Sequence, residues 1–168
     1  MSNHALQRYT TTKYGYISVL EYCSWFFRKC YTVSYEKVSW DTAQTKCLND
    51  DNKHLVTIAS KKEMNYVQYL LRSVLYMQKE GTDERKLHGA HIGLRRVKDR
   101  QMRMNFIWIN NNNVTFSEWK RRHPSTGDCT RTSFEYFNTE ENWETEDCYN
   151  SLVGFYICEN TFLVNTTK

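Results

Sequence analysis

Phe155-Tyr156-Ile157-Cys158-Glu159 is the stretch on which the reading of this chain turns. It ends an apolar run, Leu152 to Glu159, whose β-branched and aromatic residues read as a strand. Its cysteine is one of six, at 23, 30, 47, 129, 148 and 158. An even count at this frequency suits an oxidising compartment, where cysteines pair. None forms a C-x-x-C, so a zinc ribbon or a thioredoxin-like motif has little support. Working back from 152, further short apolar runs alternate with polar loops: Ala90 to Leu94, Phe106 to Ile109, Val114 to Trp119 and Cys129 to Phe137. These also read as strands.

The amino-terminal half has a different rhythm. Cys30-Tyr31-Thr32-Val33-Ser34-Tyr35 alternates and reads as a strand. Ser39 then caps a short helix through about Leu48, with Trp40, Ala43 and Cys47 on one face. His54 to Ile58 is a short extended run. Ser60 with Glu63 has the form of a capping box. Met64, Val67, Leu70, Leu71, Val74 and Leu75 follow at helical spacing, which predicts a helix over roughly 60 to 78. Its apolar stripe is narrow and the rest of it is polar, so core packing is a better reading than a membrane-surface helix. Two helices followed by a run of strands is an α+β plan.

Composition bounds the function. The chain has 168 residues, enough for one domain. It is 40% hydrophobic and 15% aromatic, which supplies a core and excludes wholesale disorder. No apolar run approaches the ~20 residues that span a bilayer, so no membrane insertion of this segment is expected. The net charge of +4 is far from that of a nucleic-acid-binding arm, and no nucleic-acid partner is expected. Residues 1 to 20 contain no signal-peptide core and read as a flexible lead-in. The domain is drawn from 21 to 160, with 161 to 168 as a tail. Asn113-Val114-Thr115 and Asn165-Thr166-Thr167 are glycosylation candidates. His88 and His91 lack Cys or carboxylate partners at ligand spacing and read as ordinary surface or strand histidines.

Three stretches combine into one pattern. The first is Cys23-Ser24-Trp25, Cys30-Tyr31 and Cys47. The second is His91-Ile92-Gly93-Leu94, Trp108-Ile109 and Phe116-Ser117-Glu118-Trp119. The third is Cys129, Trp143, Cys148 and the closing Phe155 to Glu159. In this order they resemble a C-type lectin-like domain, over about residues 23 to 160. The resemblance implies two helices packed on antiparallel sheets with a long loop region. It also implies the pairing Cys23–Cys30, Cys47–Cys158 and Cys129–Cys148, which spacing alone does not select from fifteen connectivities. A Cys47–Cys158 bond would close a loop of roughly 110 residues, worth about 4 to 5 kcal/mol in the chain-entropy model. A Cys129–Cys148 bond would hold the ends of a polar loop and leave the intervening segment to recognition. Trp108, Trp119 and Trp143 are then core and loop anchors, with Trp143 also a candidate stacking platform for a ligand.

Calcium-dependent members of that family place Glu-Pro-Asn or Gln-Pro-Asp before the fourth cysteine and Trp-Asn-Asp before the fifth. This chain has His123-Pro124-Ser125 and Trp143-Glu144-Thr145. Only Glu144 supplies an anionic ligand, so no metal site of the sugar-binding kind and no cofactor are expected. The resemblance also suggests a cis bond before Pro124. Lys120, Arg121, Arg122 and His123 form a basic run with Arg131 nearby, and Arg95, Arg96, Lys98, Arg100 and Arg103 form another. Glu135, Glu140, Glu141, Glu144, Glu146 and Asp147 carry the opposite sign. The candidate ligand-binding set is Lys120, Arg121, Arg122, His123, Ser125, Arg131, Trp143 and Glu144. Ile92-Gly93-Leu94-Arg95-Arg96 and the long second helix are similar to the layilin and chondrolectin branch, whose hyaluronan binding fits an anionic glycan.

The function expected is that of a non-catalytic extracellular recognition domain without calcium dependence. Its ligand would be a protein or an anionic glycan on the long-loop face, and it could form oligomers. It would be secreted, or the ectodomain of a membrane protein whose leader and anchor lie outside this chain. The alternative is a calcium-dependent lectin with a degenerate site. No nucleophile elbow, P-loop or metal signature supports an enzyme.

Overall fold

The computed structural model describes residues 8–11, 17–77, 89–133 and 142–161. Among these, nine strands and two helices alternate as β1 (Arg8–Thr11), β2 (Ile17–Ser24), β3 (Lys29–Val38), α1 (Trp40–Asn49), β4 (His54–Leu55), α2 (Lys61–Met77), β5 (Gly89–Lys98), β6 (Met104–Trp108), β7 (Cys129–Ser133), β8 (Trp143–Glu146) and β9 (Val153–Thr161). The main strand order is β1-β2-β3-β9-β5-β7-β8, with β4 pairing β9 and β6 pairing β5. The expectation of antiparallel sheets needs one amendment: β5 and β9 run parallel, through Ala90↔Phe155 and His91↔Tyr156.

The lead-in is shorter than drawn. β2 begins at Ile17 and pairs with β3 from Val19↔Ser34 to Ser24↔Lys29, and β1 pairs with β2. The boundary at residue 20 therefore falls inside a strand, because Ile17 to Leu20 find their backbone partners on the hairpin formed with β3. Residues 162 to 168, His88, Asn165, Glu135, Glu140 and Glu141 lie outside the described residues. Val114 to Trp119 is not a strand. Phe116 and Trp119 pack their rings toward the core while the backbone makes only an isolated bridge, Trp119↔Trp143.

Local chemistry sets the helix starts. Ser39 is the N-cap of α1 and its hydroxyl accepts from the Thr42 amide. At α2 the Ser60 hydroxyl accepts from the Glu63 amide at 3.2 Å, but the Glu63 carboxylate reaches back to the Ala59 amide at 2.8 Å. Met64, Val67, Leu70, Leu71 and Val74 are fully buried and join Tyr31, Val33, Ile92, Leu94, Phe155 and Ile157 in the main core. A second cluster gathers Trp40, Ala43, Cys47, Leu55, Cys129 and Cys158 around α1. Gly93 is required here, because a Cβ would stand 2.4 Å from the Leu55 carbonyl oxygen.

A polar group is sealed beneath α2. Lys29 Nζ donates to the Thr57 carbonyl at 2.7 Å, to Thr57 Oγ1 at 3.1 Å and to Glu63 Oε1 at 2.8 Å. It also lies 2.8 Å from Glu159 Oε2. Tyr31 donates its hydroxyl to Glu63, and Thr57 donates to Glu159. Burial, then the Glu63 charge and hydrogen bond, push the Tyr31 hydroxyl far above the ordinary tyrosine range. Burial also raises the Glu159 carboxyl, against the opposing pull of Lys29. Three disulfides close the fold: Cys23–Cys30 across paired positions of β2 and β3, Cys47–Cys158 from α1 to β9, and Cys129–Cys148 at the loop.

Candidate functional site

The long loop leaves β6, passes through residues 109 to 128 and rejoins the sheet at β7. Trp143 at the start of β8 fixes it from below. The Trp143 amide donates to the Glu118 carbonyl at 2.7 Å, and the Lys120 amide donates to the Trp143 carbonyl at 2.9 Å. Its ring meets Trp108, Phe116 and Trp119 edge-on at 5.5, 5.7 and 5.8 Å. Trp143 is fully buried. This corrects its candidacy as a stacking platform: the residue is fully buried against three rings, so no ligand reaches it, and it is a loop anchor.

Above this anchor the loop turns at Arg121 and Arg122, both exposed, with Arg122 at φ 70° and a cis bond between His123 and Pro124. His123 Nδ1 accepts from the Thr145 amide at 3.0 Å. The Ser125 amide donates to Thr145 Oγ1 at 2.9 Å, and the two hydroxyls lie 2.7 Å apart. Glu144 is clasped from two sides: Lys120 Nζ reaches one oxygen and Arg131 the other, each at 2.8 Å. Burial would raise this carboxyl, but the hydrogen bonds from Lys120 and Arg131 outweigh it and hold Glu144 below the ordinary range. The clasp therefore contributes stability above the ordinary carboxylate pKa and loses it as pH falls through the lowered value.

The structure thus brings Lys120, His123, Ser125, Arg131 and Glu144 together, while Arg121 and Arg122 stand out from them with no ion pair among the described residues. The basic and acidic runs do not remain separate surfaces. In the second run Arg96 hydrogen-bonds the Ser125 carbonyl and lies 5.1 Å from the Phe106 ring, and Arg103 pairs with Asp99 at 2.8 Å. Glu146 is buried and its carboxylate meets His91 Nδ1 at 2.5 Å, while His91 Nε2 faces the Val38 carbonyl at 2.8 Å. His91 is a strand residue as expected. Its partner was invisible in the sequence because the two lie 55 residues apart.

Two hollows flank this region. One, of about 430 Å³, is lined by residues 125–128 and 145–149. The other, of about 310 Å³, includes Ile58, Trp108 and Asn113. Asn113 and Thr115 are both exposed. Among the described residues, no group of three or more His, Cys, Asp or Glu side chains is placed to hold a metal ion.

The family model for the lectin C-type domain matches residues 36–160. The chain belongs to the C-type lectin domain family. Domains of this family are binding modules rather than catalysts. The lectin domain is 28% identical over 138 residues to the secretory phospholipase A2 receptor of Bos taurus, covering 82% of this chain and 8% of that receptor. It therefore corresponds to a small part of that relative. Human lithostathine has the same fold, with a TM-score of 0.62 and 20% identity over 80% of this chain and 85% of that one. So does the Ca2+-independent C-type lectin SPL-2 from Saxidomus purpuratus, with a TM-score of 0.60 and 22% identity over 84% of this chain and 89% of that one.

Proposed function

We propose that this lectin domain is an extracellular recognition module that binds a protein or an anionic glycan through its long-loop face without calcium. The observation that carries the reading is the clasp on Glu144. Calcium takes six to eight oxygens and favours carboxylates. Of positions 123, 125, 144 and 145, only Glu144 is a carboxylate, and Lys120 and Arg131 already neutralise it. An ion would have to displace both cations and break the Ser125–Thr145 hydrogen bonds. The residues do not fit calcium, and two tethered cations stand where its charge would act. Three disulfides are consistent with an oxidising, extracellular setting.

Thermal melting in chelator and in millimolar calcium tests the first half. The two curves should superimpose, because a ligand that binds only the folded state raises the melting temperature. A rise of several degrees would instead support the calcium-dependent alternative. The clasp gives a second test. Glu144→Gln releases Lys120 and Arg131, so retention on heparin at low salt should increase several-fold. Arg121→Glu with Arg122→Glu should reduce it. If neither change moves retention, the glycan arm fails and a protein ligand remains.

A further inference from the structure

We propose that the β2–β3 hairpin tip and the outer face of α2 form a peripheral docking surface for an anionic phospholipid bilayer. At the tip, Trp25 and Phe26 are 59% and 73% exposed; on α2, Tyr69 and Tyr76 are 59% and 83% exposed. Phe26 meets Phe27 edge-on at 4.9 Å, Phe27 meets Tyr66 at 5.5 Å, and Tyr66 meets buried Tyr31 at 5.4 Å. The tip is thus anchored through rings to the core and is held outward.

The two elements form one surface. Lys62 Nζ lies 5.8 Å from the centroid of the Phe26 ring. Lys62, Tyr69 and Tyr76 are seven residues apart, which keeps them within about 20° per step on one helix face. The line from Lys62 to Tyr76 runs roughly 21 Å along the axis. Of the cations in residues 24–29 and 61–77, Lys29 is spent on the buried Glu63 and Glu159 and Lys61 pairs with Glu118, which leaves Arg28, Lys62 and Arg72 for this face, while the single carboxylate of these segments, Glu63, is buried. Arg28 and Lys62 are exposed beside the rings.

Aromatic rings flanked by cations, without exposed acids, complement an interface of anionic headgroups over hydrocarbon. A second copy of the chain would bring like charges together. A small neutral sugar would need a concave seat with converging hydrogen-bonding groups. The two hollows described above are lined by other residues, and Phe26 has no polar atom to offer. No described helix is long and apolar enough to cross a membrane, so the contact is peripheral.

The test is co-sedimentation of the whole chain with vesicles of phosphatidylserine and phosphatidylcholine, against phosphatidylcholine alone. Binding to the anionic vesicles should be at least tenfold stronger. Trp40, Trp108 and Trp143 are buried and the half-buried Trp119 packs in the long loop against Phe106 and Trp143, so a blue shift of emission on binding should come from Trp25 and vanish in Trp25→Phe. Trp25→Ser with Phe26→Ser should lose at least tenfold in binding with an unchanged melting temperature. Arg28→Glu with Lys62→Glu should remove the preference for anionic lipid. Arg121→Glu with Arg122→Glu, in the long loop, should leave vesicle binding unchanged, which separates this surface from the one proposed above. Three results would overturn it: no binding to anionic vesicles, wild-type binding by the folded tip variant, or loss of binding in the loop variant. Heparin retention that depends on Trp25 and Phe26 without vesicle binding would assign the face to a glycan instead.

Discussion

Lys29→Met is expected to lower the unfolding free energy by about 3 to 5 kcal/mol, the range found when one partner of a buried ion pair is removed. Among the described residues the ammonium is the one Lys or Arg cation that touches both Glu63 and Glu159, each at 2.8 Å, with the His54 ring farther off at 3.9 Å from Glu159, and both carboxylates are nearly inaccessible. Methionine fills the volume of the stem but leaves two buried acids without a counter-charge. Urea unfolding at pH 7 measures the effect. Its pH dependence is diagnostic. The folded-state pKa of Glu159 is raised, chiefly by burial, so its contribution is fully present below the unfolded carboxylate value and is lost as pH rises through the folded one. Removing Lys29 raises it further. The deficit of the variant should therefore be largest near neutrality and shrink on acidification. Adding Glu63→Gln and Glu159→Gln to Lys29→Met should recover much of the loss, since neutral amides need no counter-charge. A loss below 1 kcal/mol at pH 7 would show that water reaches the site and compensates.

Cys47→Ala with Cys158→Ala is the second large effect. The bond joins positions 111 residues apart. In the chain-entropy model a loop of that order contributes about 4.7 kcal/mol, by restricting the unfolded chain. Both sulfurs sit in the packed cluster around α1, and alanine in their place adds a packing loss. Differential denaturant unfolding of the double variant should show the drop with the same pattern of strands. Cys23–Cys30 joins positions only seven apart, so in the same model removing it should cost about half as much.

The helices and most strands were legible because their signals are local. Ser39 and Ser60 cap where short polar side chains before apolar stripes cap, and the stripe from Met64 to Val74 is the buried face of α2. Val114 to Trp119 misled because alternation reports which side of a chain is buried, not whether its backbone has a neighbour to pair with. Ile17 to Leu20 carry little strand signal by themselves, because four residues with a single polar one among them are too few to show alternation until their partner is known. The clasp on Glu144 was beyond reach in another way: its charges, at 120, 131 and 144, were visible as opposite runs, but only the β7–β8 pairing Arg131↔Glu144 brings them into contact. The Lys29 site was missed altogether, since residues 29, 57, 63 and 159 share no local motif.

The bond between Cys47 and Cys158 also decides how the molecule bears load. Tension applied at the two ends of the chain runs along the backbone to Cys47, crosses the sulfur bridge and leaves from Cys158. The stretch between them, residues 48 to 157, is mechanically bypassed. That stretch contains α2, the long loop and the whole of the Glu144 clasp. Pulling can draw out β1, β2, β3, the part of α1 before Cys47 and the end of β9 beyond Cys158, but it does not stretch the long-loop face. A complex formed on that face would be stressed only by forces delivered through the ligand itself.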